Sequence, residues 1–197
     1  MNKTLKSILL LIILLFTLSG CTTQAPSDED KNNEGGNTPN PNATEVVVYF
    51  SCTSTTKNIA EKIGNLKSIP VIEILPKVPY TADDLKYYTN CRADKEYADP
   101  TSRPEIAENI DISKYDVIYL GYPIWYGEAP RIISTFLESY DFEEKTIVPF
   151  CTSASSGIGS SDKKLQSLIS GATWKTGASF YKNTSNQEIS KWLDEVK

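Results

Sequence analysis

The chain has 197 residues, a formal net charge of −5, 40% apolar residues and no histidine. No basic stripe interrupts this acidity, which argues against nucleic acid as a partner. The lack of histidine excludes Ser-His-Asp and Cys-His catalysis and histidine-ligated metals, and the four cysteines, none in a Cys-x-x-Cys spacing, offer no metal pattern.

Lys3 and Lys6 give the chain a positive start, Ile8 to Phe16 is an unbroken apolar run, and Leu18-Ser19-Gly20-Cys21 closes it. Charge, apolar core and small residues in that order read as a secretory signal peptide. A cysteine directly after the small residues resembles the lipobox of bacterial lipoproteins. That resemblance implies cleavage before Cys21 and lipidation of its thiol. The protein would then sit outside the cytoplasm, held to a bacterial cell membrane by the lipid alone. The other reading is an uncleaved membrane anchor, but the run is shorter than the ~20 residues a spanning helix needs. Loss of residues 1–20 removes two lysines and leaves a net charge of −7. Residues 21–44 carry Pro26, Gly35, Gly36, Pro39 and Pro41 among polar side chains and read as a flexible tether. One folded domain is expected over 45–197.

Val46 to Phe50 is a continuous β-favouring run and predicts a strand buried on both faces. A hydroxyl-rich stretch follows, then a helical pattern through Ile59, Ala60 and Ile63. Val71 to Leu75 predicts a second strand. Thr81-Ala82-Asp83-Asp84 has the form of a cap for a helix including Leu85 and Tyr88. The segment 90–104 is polar and fits no pattern. Asp116 to Gly121 predicts a third strand, and Pro130 opens a helix that buries Ile132, Ile133, Phe136, Leu137 and Tyr140. Thr146 to Cys151 predicts a fourth strand, against which Pro149 objects because it cannot donate to a ladder. A short helix through Leu165, Leu168 and Ile169, a fifth strand from Trp174 to Tyr181, and a helix capped by Ser185 and Glu188 complete the chain. Strands alternating with helices imply an α/β fold, a parallel sheet with helices on both faces and right-handed crossovers.

Three stretches carry candidate chemistry. Ser51, Thr53, Ser54, Thr55 and Thr56 surround the start of the first helix, where backbone N–H groups and the helix dipole favour an anion. The plainer reading is that one hydroxyl caps the helix. Pro123, Ile124, Trp125, Tyr126 and Gly127 follow the third strand, and their rings suit stacking on a flat heterocycle. Equally, Trp125 or Tyr126 folds back on the core or marks a protein contact. Thr152, Ser153, Ala154, Ser155, Ser156 and Gly157 follow the fourth strand. They could approach a ligand closely, although taken alone they read as an ordinary loop.

Together Val46–Thr56, Asp116–Glu138 with its Gly-Tyr-Pro-Ile-Trp-Tyr-Gly run and Thr146–Gly159 with its Pro-Phe-Cys-Thr-Ser run resemble the flavodoxins, in particular the branch found as lipoproteins or small FMN proteins. The resemblance implies a doubly wound five-stranded sheet in order 2-1-3-4-5, with FMN where the order reverses. It assigns Ser51, Thr53, Ser54, Thr55 and Thr56 to the phosphate loop, and 123–127 and 152–157 to two loops against the flavin ring. There are two departures. Ser54 stands where the family has glycine, and the second ring loop lacks a tyrosine, for which Tyr87 or Tyr88 would be the candidate substitutes. The reading is of an FMN-dependent oxidoreductase or electron carrier serving an unidentified redox partner, with no side chain required as acid or base. The alternative is a flavodoxin-fold interaction module that has lost the cofactor.

The cysteines add one constraint. In that strand order the first and fourth strands lie about 9–10 Å apart. Disulfides need Cα atoms within about 7 Å, which disfavours Cys52–Cys151 and leaves Cys52–Cys91 or free thiols open.

Overall fold

Strand β1, Glu45–Tyr49, has four of its five residues buried, and the computed structural model shows why. Val46 and Val48 point into one apolar cluster while Val47 and Tyr49 point into another, so the strand is covered on both faces. The structure describes residues 39–197; the leader, Cys21 and most of the tether lie outside them.

The sheet runs β2 (Val71–Glu73), β1, β3 (Val117–Pro123), β4 (Thr146–Thr152), all parallel, then an edge formed by β5 (Thr173–Trp174) and β6 (Ala178–Phe180). The order 2-1-3-4-5 is that of the flavodoxin-like α/β fold, with a sixth short strand added. Register is regular: Val47 sits between Val71 and Tyr119, and Leu120 faces Pro149.

Helices cover both faces. On one, α1 (Thr55–Lys67) and α5 (Asn186–Glu195) bury Ile59, Ile63, Ile189 and Leu193 against Val47, Tyr119 and Val148. On the other, α3 (Arg131–Ser139) buries Ile132, Ile133, Phe136 and Leu137 against Val46, Ile118 and Leu120. Phe136 is fully buried, so Phe136→Ala would cost about 3–5 kcal/mol. Two shorter helices, α2 (Arg92–Ala98) and α4 (Ser161–Gln166), complete this face.

Three elements depart from the sequence expectation. Thr81 and Asp84 do exchange capping hydrogen bonds, but only a 3₁₀ turn, Asp83–Leu85, follows. Tyr88 and Asn90 take left-handed φ of 65° and 60°, which no helix accommodates. Helix α2 lies within the segment 90–104 that fits no pattern, because Ala93 is the one residue it buries fully. The fifth strand divides into β5 and β6. Lys145 and Ile147 oxygens accept from Thr173 and Lys175, and Ser153 N–H donates to Phe180, so odd-numbered residues of β4 face the edge. Pro149 is odd-numbered, and its missing N–H falls at the break between β5 and β6. Gly177 fills that gap: a Cβ there would lie 2.9 Å from the Pro149 oxygen. The proline is thus tolerated by interrupting an edge strand rather than a central one.

Candidate functional site

The carboxyl ends of β1, β3 and β4 open on a cavity of about 530 Å³, at the point where strand order reverses. Most of its lining comes from four segments. Ser51, Cys52, Thr53 and Thr55 follow β1; Pro123, Ile124 and Trp125 end and follow β3; Thr152, Ser153 and Ala154 end and follow β4; Tyr181, Lys182 and Asn183 follow β6. Leu85 and Tyr87 close it from the loop before α2.

The first segment leads into α1, a helix of 13 residues. Ser54 is its N-cap residue, with φ 61° and ψ −1°, and makes no side-chain cap bond. The first-turn N–H groups of α1 therefore lack the hydroxyl cap that Ser and Thr usually supply. A left-handed serine costs on the order of 1 kcal/mol, and its backbone takes the shape glycine would adopt there. Thr56 is buried, and its hydroxyl lies 2.7 Å from that of Thr152, so these two occupy each other. Ser51, Thr53 and Thr55 keep the cavity-facing positions.

The second segment makes a tight hairpin. Trp125 and Glu128 exchange N–H···O bonds of 2.9 Å, and Tyr126 and Gly127 both have positive φ, 52° and 81°. This is a type I′ turn, which requires φ > 0 at both central positions. The turn separates two adjacent rings. Trp125 is 8% exposed and meets Phe50 and Tyr80 edge-on at 5.7 and 5.3 Å, yet one side lines the cavity. Tyr126 turns away and sits among Tyr97, Tyr87 and Tyr88 at 4.6, 4.8 and 5.6 Å. Behind Trp125, Arg92 lies 3.8 Å over the Tyr80 ring and bonds Glu96, which also accepts from the Tyr80 hydroxyl at 2.6 Å.

Of the residues singled out in the sequence, Ser51, Thr53, Thr55, Pro123, Ile124, Trp125, Thr152, Ser153 and Ala154 come together around this cavity. Ser54, Thr56, Tyr126, Gly127, Ser155, Ser156 and Gly157 do not line it. Ser155 and Ser156 instead donate backbone N–H groups to the Ser153 hydroxyl, turning the loop back on itself. Of the two tyrosine substitutes, Tyr87 lines the cavity and Tyr88 is 88% exposed beside Tyr126. Tyr181, Lys182 and Asn183 escaped the sequence reading; the one available signal was their place at the carboxyl end of the last strand, on the same edge as the other loops.

Two ionisable groups at the wall, Cys52 and Tyr87, are held neutral by burial. Burial pushes the Cys52 thiol up to about 12, against a smaller lowering by Arg92. Burial, aided by Cys52, Cys91 and Asp94, raises Tyr87 to about 12 as well. Cys52, Cys91 and Cys151 are all free thiols. Among the described residues no group of three or more Cys, Asp or Glu side chains is placed to hold a metal.

The flavodoxin family model matches residues 44–196. The chain belongs to the flavodoxin family. Solved structures similar to it include a provisionally assigned flavoprotein from Bacteroides eggerthii, with 40% identity over 77% of this chain and 96% of the other and a TM-score of 0.73. A second such flavoprotein, from Bacteroides uniformis, has 38% identity over 77% and 98%, with a TM-score of 0.74. A flavoprotein from Lactobacillus acidophilus, solved in complex with FMN, has 26% identity over 76% and 97%, with a TM-score of 0.57. No curated protein matches the chain.

Both departures from the flavodoxin pattern have a structural counterpart. Ser54, where the resemblance implies glycine, takes a left-handed backbone that glycine adopts freely. Tyr87 brings to the cavity, from a different loop, the phenol that the second ring loop lacks.

Proposed function

We propose that the cavity binds FMN and that the chain uses it in extracytoplasmic electron transfer or in flavin-dependent reduction of a small acceptor, tethered through a lipid on Cys21. The observation that carries this reading is the start of α1, where no side chain caps the helix and the Ser51, Thr53 and Thr55 positions face the cavity. An uncapped helix N-terminus ringed by hydroxyls is an anion site suited to a phosphate. Trp125 and Tyr87 add aromatic walls for a flat ring, and the volume lies within the range of small-molecule sites. Membership of the flavodoxin family and the FMN complex of the Lactobacillus acidophilus relative support the same ligand.

In this reading the N–H groups and hydroxyls of 51–55 would hold the phosphate, and the apolar faces of Trp125, Ile124 and Leu85 would keep water from the ring. Cys52 and Tyr87, both neutral, would add no charge of their own beside it. Bound FMN would supply the redox chemistry, which the side chains position and tune.

A flavodoxin-fold interaction module without cofactor is the rival. Ser54 and the missing ring-loop tyrosine are the features that would favour it; the left-handed Ser54 and Tyr87 at the cavity support the FMN reading instead. The test is whether the purified chain, loaded with FMN and passed through a desalting column, stays yellow. A colourless protein would favour the rival.

A further inference from the structure

The two aromatic walls stand on segments far apart in sequence, and one carboxylate joins them. Asp94, in the first turn of α2, accepts N–H bonds from Tyr88 at 3.0 Å, Thr89 at 2.9 Å and Cys91 at 3.1 Å. The same carboxylate accepts the hydroxyl of Tyr126. The first three bonds gather the arm that carries Tyr87; the fourth ties that arm to the turn that carries Trp125. Ring contacts of Tyr126 with Tyr87 and Tyr88 follow the same line. Three residues around Asp94 are strained: Tyr88, Asn90 and Tyr126 all have left-handed φ, 65°, 60° and 52°. Such conformations persist only where surrounding contacts over-determine them. Desolvation pushes the Asp94 carboxyl up, but the bonds from Tyr88, Cys91 and Thr89 outweigh it and hold the group below its ordinary value, as an acceptor.

We propose that Asp94 is a positioning residue: it latches the arm 87–91 to the Trp125–Glu128 turn and thereby sets how long the cavity keeps its flavin. The second half rests on the FMN reading above; the latch itself does not. Without Asp94 the strained arm loses its anchor, Tyr87 swings from the cavity wall, and ligand escapes faster while entry is unchanged.

The experiment compares wild type, Asp94→Asn, Asp94→Glu and Tyr126→Phe in two assays. In the first, FMN release is followed by recovery of flavin fluorescence on dilution. One hydrogen bond to a charged group is involved in Tyr126→Phe, so release should quicken roughly tenfold, and at least as much in Asp94→Asn. Asp94→Glu, which keeps the carboxylate, should return release to within a few-fold of wild type. Association rates should match throughout. In the second, flavin-free protein is treated briefly with trypsin. Cleavage after Lys86, where the arm begins, should quicken in Asp94→Asn and Tyr126→Phe, while cleavage after Lys62, in α1, should not. Equal cleavage after Lys86 in all four proteins overturns the latch whether or not flavin binds. Equal FMN release, with faster arm cleavage, overturns its role in retention. A wild type that takes up no FMN overturns the function proposed above, and the trypsin assay then decides the latch alone.

Discussion

The hydroxyls of Thr56 and Thr152 lie 2.7 Å apart across 96 residues of chain. They fasten the first turn of α1 to the end of β4, and so hold two walls of the cavity in register. Both are buried. Thr56→Val or Thr152→Val removes one partner and leaves the other hydroxyl unsatisfied, at a cost of about 1–3 kcal/mol. In a domain of this size the melting temperature should fall by roughly 2–4 °C per kcal/mol. The double variant should lose less than the sum, because its second change removes the stranded group. Additive losses in thermal melts would mean that the two hydroxyls do not act as a pair.

Tyr87 and Tyr88 are neighbours with different fates, one at the cavity and the other 88% exposed. Aromatic pairing adds about 0.5–1.5 kcal/mol beyond burial, so Tyr87→Ala should weaken FMN roughly two- to tenfold and lessen quenching of its fluorescence. Tyr88→Ala should change affinity less than twofold. The reverse ranking in a flavin titration would place the arm in a different register.

Alkali should unfold the protein partly through the cavity wall. Burial raises Cys52 from 9.0 to about 12 and Tyr87 from 10.0 to about 12. For a group whose pKa is raised on folding, the stability it contributes is complete below the unfolded value and disappears as pH rises through the folded one. The window for Cys52 therefore runs from about pH 9 to about pH 12. Thermal melts through that range should fall for wild type and fall less steeply for Cys52→Ala. Parallel curves would show that the thiol ionises freely in the folded protein.

The proposed membrane tether would depend on Cys21. Cys21→Ser should move the protein from the membrane to the soluble fraction of expressing cells. A Cys21→Ser chain that stays membrane-bound and keeps its leader would contradict lipid anchoring.

Much of the sheet could be read from sequence because strands buried on both faces appear as unbroken apolar runs. Val46 to Phe50 and Val117 to Leu120 are such runs, and the observed strands agree with those expected to within about two residues. The cap of α5 was equally legible, since Ser185 and Glu188 bond each other's backbone as their spacing requires. Helix α2 was not legible, because a polar helix that buries one alanine leaves no periodic trace. Tyr126 could not be separated from Trp125 by composition; the type I′ turn that points them apart depends on φ angles that a bulky residue rarely takes. Pro149 was the most informative objection: it weakened the fourth strand on paper, but in the fold it marks where the edge strand breaks.

The proposed FMN site places the phosphate at the start of α1. Its most direct test is a fluorescence titration of flavin-free wild type and Thr55→Val with FMN and with riboflavin, which lacks the phosphate. A hydrogen bond to a charged group is worth about 1.5–3 kcal/mol, so Thr55→Val should weaken FMN roughly ten- to a hundredfold. Riboflavin should bind both proteins about equally. Wild type that quenches no FMN at micromolar concentration, or FMN affinity unchanged by Thr55→Val, would contradict the account.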